Sequence, residues 1–196
     1  HYCDGCDQYS SENCYCDDVD EDEDNYPIRN YTFKPSQLFL KCENEKTKLF
    51  YGIEIEAIIR EGYEIQETAE ETVNLFSDSH IILKEDGSIG DNGFEIVSNT
   101  ATFKYHKTKL WNCFFNSDIR TKLKSFHDKR TGLHIHASRE FYSKTDIGKI
   151  VLFLNLPYNK FFINKISGRS YTDYCTRKND KKITDVTSDD RTEALN

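Results

Sequence analysis

The sequence predicts an α+β fold, with paired strands alternating along the chain with amphipathic helices. Three observations predict it. Two stretches, Tyr51-Gly52-Ile53-Glu54-Ile55-Glu56-Ala57-Ile58 and Thr131-Gly132-Leu133-His134-Ile135-His136-Ala137-Ser138, alternate apolar and polar residues with period two, as strands with two unlike faces do. Residues 80–98 read as two strand arms around a loop rich in Gly and Asp, the composition of a hairpin. Between and after these lie segments whose apolar residues recur at helical spacing.

The two organising strands carry the chemistry. In the first, Ile53, Ile55 and Ala57 share one face and Glu54 and Glu56 the other. In the second, Leu133, Ile135 and Ala137 share one face and His134 and His136 the other. A sheet that buries the apolar face collects two carboxylates and two imidazoles opposite. That is a ligand set for hard to borderline divalent cations, held on rigid elements.

Residues 1–16 contain Cys3-x2-Cys6-x7-Cys14-x-Cys16. Four thiolates can close a tetrahedral zinc site, and so short a segment needs the metal to fold. Two disulfides in an exported protein are the alternative. The Asp4-Gly5 step suits the tight turn of a zinc knuckle, and the head reads as a stability or docking module. Residues 17–30 are an acidic run that like-charge repulsion extends, read as a solvated linker. Residues 31–48 read as an extended lead-in with a weak strand, before the first organising strand over 49–59.

Residues 66–77 predict a helix burying Ala69, Val73 and Phe76. The hairpin pairs His80–Lys84 with Phe94–Ser98, with Asp86-Gly87 and Asn92-Gly93 as turn signals. Its loop exceeds what a minimal hairpin needs, and such loops often carry function. Residues 103–128 predict a helix with Leu110, Trp111, Phe114 and Phe115 as its core stripe, and 131–138 form the second organising strand. Ser143-Lys144-Thr145-Asp146 offers a capping box for a helix burying Ile147, Ile150, Val151, Leu154 and Leu156. Pro157 kinks or ends that helix. Residues 161–166 continue as helix or strand, and the tail over 176–196 is polar. The division is therefore a head at 1–16, a linker at 17–30, a main domain at 31–175 and a tail at 176–196.

The net charge of −8 disfavours duplex nucleic acid as the main partner. No run is long and apolar enough for a membrane span, and no secretory leader is visible, which together predict a cytoplasmic protein. There is no Met, even at position 1, so the chain reads as a processed product or part of a longer one. No phosphate loop and no GxGxxG element occurs, so a nucleotide would be held through metals and arginine. Glu54, Glu56, Asp86, Glu95, His134 and His136 together make a plausible cation bed for magnesium or manganese. Arg169, after Gly168, could clamp a phosphate or carboxylate with both prongs of its guanidinium.

Gly52-x-Glu54-x-Glu56, then Asp86-Gly87-Ser88, then Gly93-x-Glu95-Ile96-Val97-Ser98, then Gly132-Leu133-His134-x-His136, and finally Gly168-Arg169 with Tyr174-Cys175 resemble, in order and spacing, the amidoligase family. Its members are often phage-encoded relatives of glutamate–cysteine ligase and glutamine synthetase, in the carboxylate–amine ligase superfamily. The resemblance covers residues 49–175, and the Cys-rich head is similar to the metal-binding head of some phage members. It implies a mainly antiparallel sheet forming a funnel-like site with helices outside, and ATP and magnesium as co-substrate and cofactor. It implies Glu54, Glu56, Glu95 and His134 or His136 as metal ligands. Asp86 would hold a metal or the amine substrate and is the candidate base. Arg169 would contact the ATP phosphate or the acyl phosphate.

The implied reaction activates a carboxylate as an acyl phosphate, which an amine attacks to give an amide. Acid and amine stay open, peptide and cell-wall derivatives among them. Host cytoplasm or a virion would be the setting. Family ligases usually continue beyond the segment matching Arg169, so the native protein is expected to be longer, or this chain a shortened derivative. Two other readings stand beside the ligase: a non-catalytic component of a virion or complex that docks a protein partner through the zinc head, and a metal hydrolase that needs no ATP.

Overall fold

The computed structural model describes residues 26–76, 80–125 and 130–168, together with the backbone of two short paired strands, β1 (Tyr2–Cys3) and β2 (Gln8–Tyr9). The fold is α+β, built on a curled sheet of eight strands. Its strands are β3 (Ile28–Arg29), β4 (Phe39–Leu40), β5 (Tyr51–Ile59), β6 (Ile81–Lys84), β7 (Gly93–Ser98), β8 (Thr100–Ala101), β9 (Leu123–Lys124) and β10 (Leu133–Ala137). The sheet already begins at Ile28, at the end of the acidic stretch. The zinc head and polar tail expected from the sequence lie outside the described residues, apart from the backbone of β1 and β2.

β5 is the spine. One edge pairs antiparallel with β7, in the register Glu54↔Val97 to Ile58↔Gly93. The other edge is shared: β10 covers Tyr51 to Ile55, and β9 covers Ile58 and Ile59. β6 extends the sheet beyond β7 as the predicted hairpin. The order on that side is β3-β6-β7-β5, and β8 and β4 continue from the start of β5. Among the described residues, only β3–β6 and β4–β8 run parallel.

The register slips by one residue between β7 and β8, because Glu54 faces Val97 whereas Tyr51 faces Ala101. That is a β-bulge, and it bends the strand. Ser98 Oγ accepts the Ile53 N–H there at 2.9 Å, replacing the lost ladder bond.

One face of the sheet is the core. Ala57, Leu83, Phe94 and Ile96 are buried against Ala69 and Phe76 from helix α1 (Ile65–Leu75) and its end, and against Leu110, Trp111 and Phe114. Phe76, Trp111 and Phe114 pack as rings with centroids 5.9–6.2 Å apart, a geometry that adds to simple area burial.

The helix expected over 103–128 is broken. It runs as α2 (Phe103–Tyr105), a π-helical turn (His106–Leu110), α3 (Trp111–Asn116) and α4 (Ile119–Lys122), and then becomes strand β9. The π turn brings His106 under Trp111. Trp111 Nε1–H donates to His106 Nδ1 at 3.1 Å, and His106 Nε2–H reaches Tyr51 O at 2.9 Å. Burial pushes the imidazole pKa down, so a neutral His106 ties the helical layer to the start of β5. Phe115, placed in the core stripe by its spacing, is exposed; the i→i−5 turn rotates the later residues around the axis.

The last two helices are α5 (Lys144–Asn155) and α6 (Lys160–Ser167). The Ser143–Asp146 capping box is formed, and Pro157 ends α5 and opens a 3-10 turn. Of the apolar side expected for α5, only Val151 is fully buried, and Ile150 is exposed. Among the described residues, no helix is long and apolar enough to cross a membrane.

Candidate metal centre

Strand register assembles the polar face. Antiparallel pairing sets Lys84, Glu95 and Glu56 in one row across β6, β7 and β5. The next row of that face holds Ile82, Val97, Glu54 and His134, and His136 lies opposite Gly52. Side chains of one face repeat every second residue, so Glu54, Glu56, Glu95, His134 and His136 converge on the face away from the core.

The contacts are close. His134 Nδ1 lies 3.1 Å from Glu54 Oε2, and its Nε2 lies 3.5 Å from Glu56 Oε1. His136 Nε2 lies 3.2 Å from Glu54 Oε1. Two ring nitrogens can both donate only when the imidazole carries its second proton, so His134 fills the place a cation would take between two carboxylates. Its pKa is accordingly raised, first by the hydrogen bond to Glu54, and that of His136 rises for the same reason. Glu54 is held well below the usual carboxylate range by its bonds to His134 and then His136.

Glu95 differs. It is 8% exposed, and its carboxylate makes no hydrogen bond or ion pair within the described residues. Burial, followed by the charges of Glu54, Asp86 and Glu56, pushes its pKa up to about 7. A buried carboxylate without a hydrogen-bond partner is costly to ionise.

Asp86 enters from the β6–β7 loop. Its two carboxylate oxygens accept the Ser88 N–H and Oγ–H, each at 2.8 Å. The loop folds back by burying Ile89 and is held by Arg130 Nη1–H, which donates to Ile89 O at 3.2 Å. Gly93 closes it: a Cβ there would stand 2.3 Å from Ile89 Cγ2 and 2.5 Å from Ala57 O, so only glycine fits.

Two triads result. Ligand atoms of Glu54, Glu95 and His134 lie within 4.8 Å of one another, as do those of Glu56, Asp86 and Glu95. Each group is close enough for its side chains to close on one ion, and Glu95 belongs to both. Carboxylates with one imidazole, and an unbonded buried oxygen donor between them, fit magnesium or manganese better than a thiolate-seeking metal.

The sequence expectations therefore meet at one place for Glu54, Glu56, Asp86, Glu95 and His134, with His136 bonded to Glu54 at the rim. Arg169 and the side chains of Cys3, Cys6, Cys14 and Cys16 lie outside the described residues. Lys84 and Arg130 carried no role in the sequence reading. Lys84 stands beside Glu95 by register and also covers the Tyr31 ring, with Nζ 5.0 Å from its centroid. Its signal was the alternation of the arm, legible only once the hairpin register is known. The chain matches no protein-family model, no curated protein and no solved structure.

Proposed function

We propose that this face holds divalent cations and that the chain is an ATP- and magnesium-dependent ligase of the amidoligase kind, joining a carboxylate to an amine. The observation that carries the reading is Glu95, buried, its carboxylate without a hydrogen bond among the described residues, and common to two ligand triads. The motifs that resemble the amidoligase family supply the reaction class, and the concave side of the curled sheet would be the funnel.

Bound magnesium would neutralise phosphate charge as it develops. The chain's own groups would do the rest. Glu54, Glu56, Glu95 and His134 fix the cation positions. Arg169 would hold the transferred phosphoryl group. An oxygen of the acid substrate attacks the terminal phosphorus of ATP, the bond to ADP breaks, and an acyl phosphate forms. The amine nitrogen then attacks the acyl carbon and phosphate leaves. Asp86, oriented by Ser88, accepts the proton the amine must lose. Cys3, Cys6, Cys14 and Cys16 would close a structural zinc site apart from the chemistry.

The test is ADP release in magnesium, across a panel of acidic peptides with primary amines. The reading expects release only with a suitable pair and its loss in both Glu54→Gln and His134→Ala. Release that survives both substitutions would remove the site from the reaction.

One observation favours a second reading, a non-catalytic component that keeps the cation face and associates with a partner. Phe153, Phe161, Phe162 and Ile166 on α5 and α6 are exposed, and large exposed apolar patches mark interaction sites. Calorimetric titration with ATP and magnesium separates the two, since the second reading expects no nucleotide binding.

A further inference from the structure

Among the described residues, β10 has an open edge. Glu56 N–H donates to Gly132 O at 3.1 Å, and Ser138 N–H donates to Phe50 O at 2.9 Å. In an antiparallel ladder alternate residues bond to the same neighbour, so residues 132, 134, 136 and 138 turn their backbone groups toward β5. The N–H and C=O groups of Leu133, Ile135 and Ala137 point the other way. Among the described residues β10 pairs only with β5. All five of its residues are exposed, Leu133 at 57% and Ile135 at 62%. The apolar face that the alternation predicted to be buried is therefore bare on this strand.

Edge strands are normally blunted by shortness, charge, proline or a bulge. β3, β4 and β9 are two residues long. β10 is five residues long, with no Lys, Asp, Glu or Pro. Its sequence is also symmetric in character about Ile135: apolar, His, apolar, His, apolar.

We propose that β10 pairs with the β10 of a second copy, antiparallel, across a two-fold axis at Ile135. In that register the free groups of 133, 135 and 137 bond to those of 137, 135 and 133 of the other copy. Ile135 meets its own counterpart, Leu133 meets Ala137, and His134 meets His136. Each contact of i with j is matched by one of j with i, as an isologous contact requires; the apolar side buries Leu133, Ile135 and Ala137 against their counterparts, and each imidazole on the other side is already paired with Glu54 of its own copy. Pairing shifted by one residue would leave inward-bonded groups facing the partner and would set the apolar residues against the imidazoles. The two sheets become continuous, and the two candidate cation sites lie on one face with their four imidazoles in two adjacent cross-strand pairs. The inference does not depend on the ligase reading, since it needs only the edge.

The test is sedimentation equilibrium of the full chain from about 1 to 100 μM, the range expected of a small interface. It is joined by hydrogen exchange read at the amides of 133, 135 and 137. A reversible dimer is expected, with those three amides protected more strongly as concentration rises. Ile135→Lys places two ammonium groups opposite each other and should raise the dimer dissociation constant about tenfold or more. Ile135→Thr keeps strand propensity without that repulsion and should dimerise more nearly as the parent does; the position is exposed, so circular dichroism should show an unchanged fold for both variants. A monomer throughout the range would overturn the proposal. So would a dimer indifferent to Ile135→Lys, or concentration-independent protection of the three amides, which would place another strand on that edge.

Discussion

At the scale of residues, Glu95 dominates the electrostatics of the site. Its folded-state pKa of about 7 lies above the ordinary carboxylate value, chiefly because it is buried. The folded chain therefore holds a proton that the unfolded chain releases, and stability falls as pH rises through that interval. His134 and His136, both raised by Glu54, act in the same direction: their contribution is complete in acid and is lost as pH rises through their folded values. Glu54, held low by the two imidazoles, acts oppositely, and its contribution is lost as pH falls below the normal carboxylate range. The metal-free protein should thus be most stable in mild acid and lose stability from about pH 4.5 to pH 7 as Glu95 ionises, and further as the two imidazoles lose their protons. Thermal melts in chelator across that interval should show the decline, and magnesium or manganese should remove most of it by taking the place of the protons. Glu95→Gln should stabilise the metal-free protein at pH 8 by up to about 3 kcal/mol, measured by urea unfolding. No gain would mean that the carboxylate is satisfied in solution.

At the scale of elements, two short features fix where the site residues stand. Gly93 lets β7 approach β5 and lets Ile89 fold beneath the loop that carries Asp86. Gly93→Ala forces Cβ against the Ala57 carbonyl and should cost more than about 2 kcal/mol in urea unfolding; a smaller loss would mean that the loop yields easily. His106 ties the π turn to Tyr51. His106→Ala strands the Trp111 N–H and the Tyr51 carbonyl and should cost about 2–4 kcal/mol. Restoration of most of that loss by His106→Gln would show that the bonds, rather than ring volume, matter. Gly93 stood in the sequence as a turn signal, and the capping box at Ser143 was readable outright because both of its residues lie within one turn. The π turn was not readable. Leu110, Trp111, Phe114 and Phe115 fit an ordinary helical stripe, and only the tertiary bond from His106 to β5 decides the extra residue in the turn. Leu123–Lys124 likewise becomes strand because β5 has an edge to fill beyond β10, a condition that local spacing does not carry.

At the scale of the whole molecule, period two did most of the work. It put Glu54 and Glu56 on one face and His134 and His136 on one face. It could not state that the two faces are the same one, which depends on the pairing of residues 134 and 54 some eighty positions apart. Glu95 arrives through the hairpin register, and Asp86 through a loop whose path depends on Ile89 and Arg130. The apolar half of β10 was expected inside and is exposed, and on the expected apolar side of α5 Val151 is buried, Ile150 is exposed and the rest are half-buried, because burial belongs to the partner surface and not to the pattern. The central claim is that these distant groups form one cation-binding face. Manganese binding, followed by electron paramagnetic resonance on the wild-type chain and on Glu95→Gln, tests it most directly. The account predicts up to two ions per chain for the wild type and at least a tenfold weakening of both in the variant, since Glu95 belongs to both triads. Undetectable binding at millimolar manganese, or equal binding by the two proteins, would contradict it.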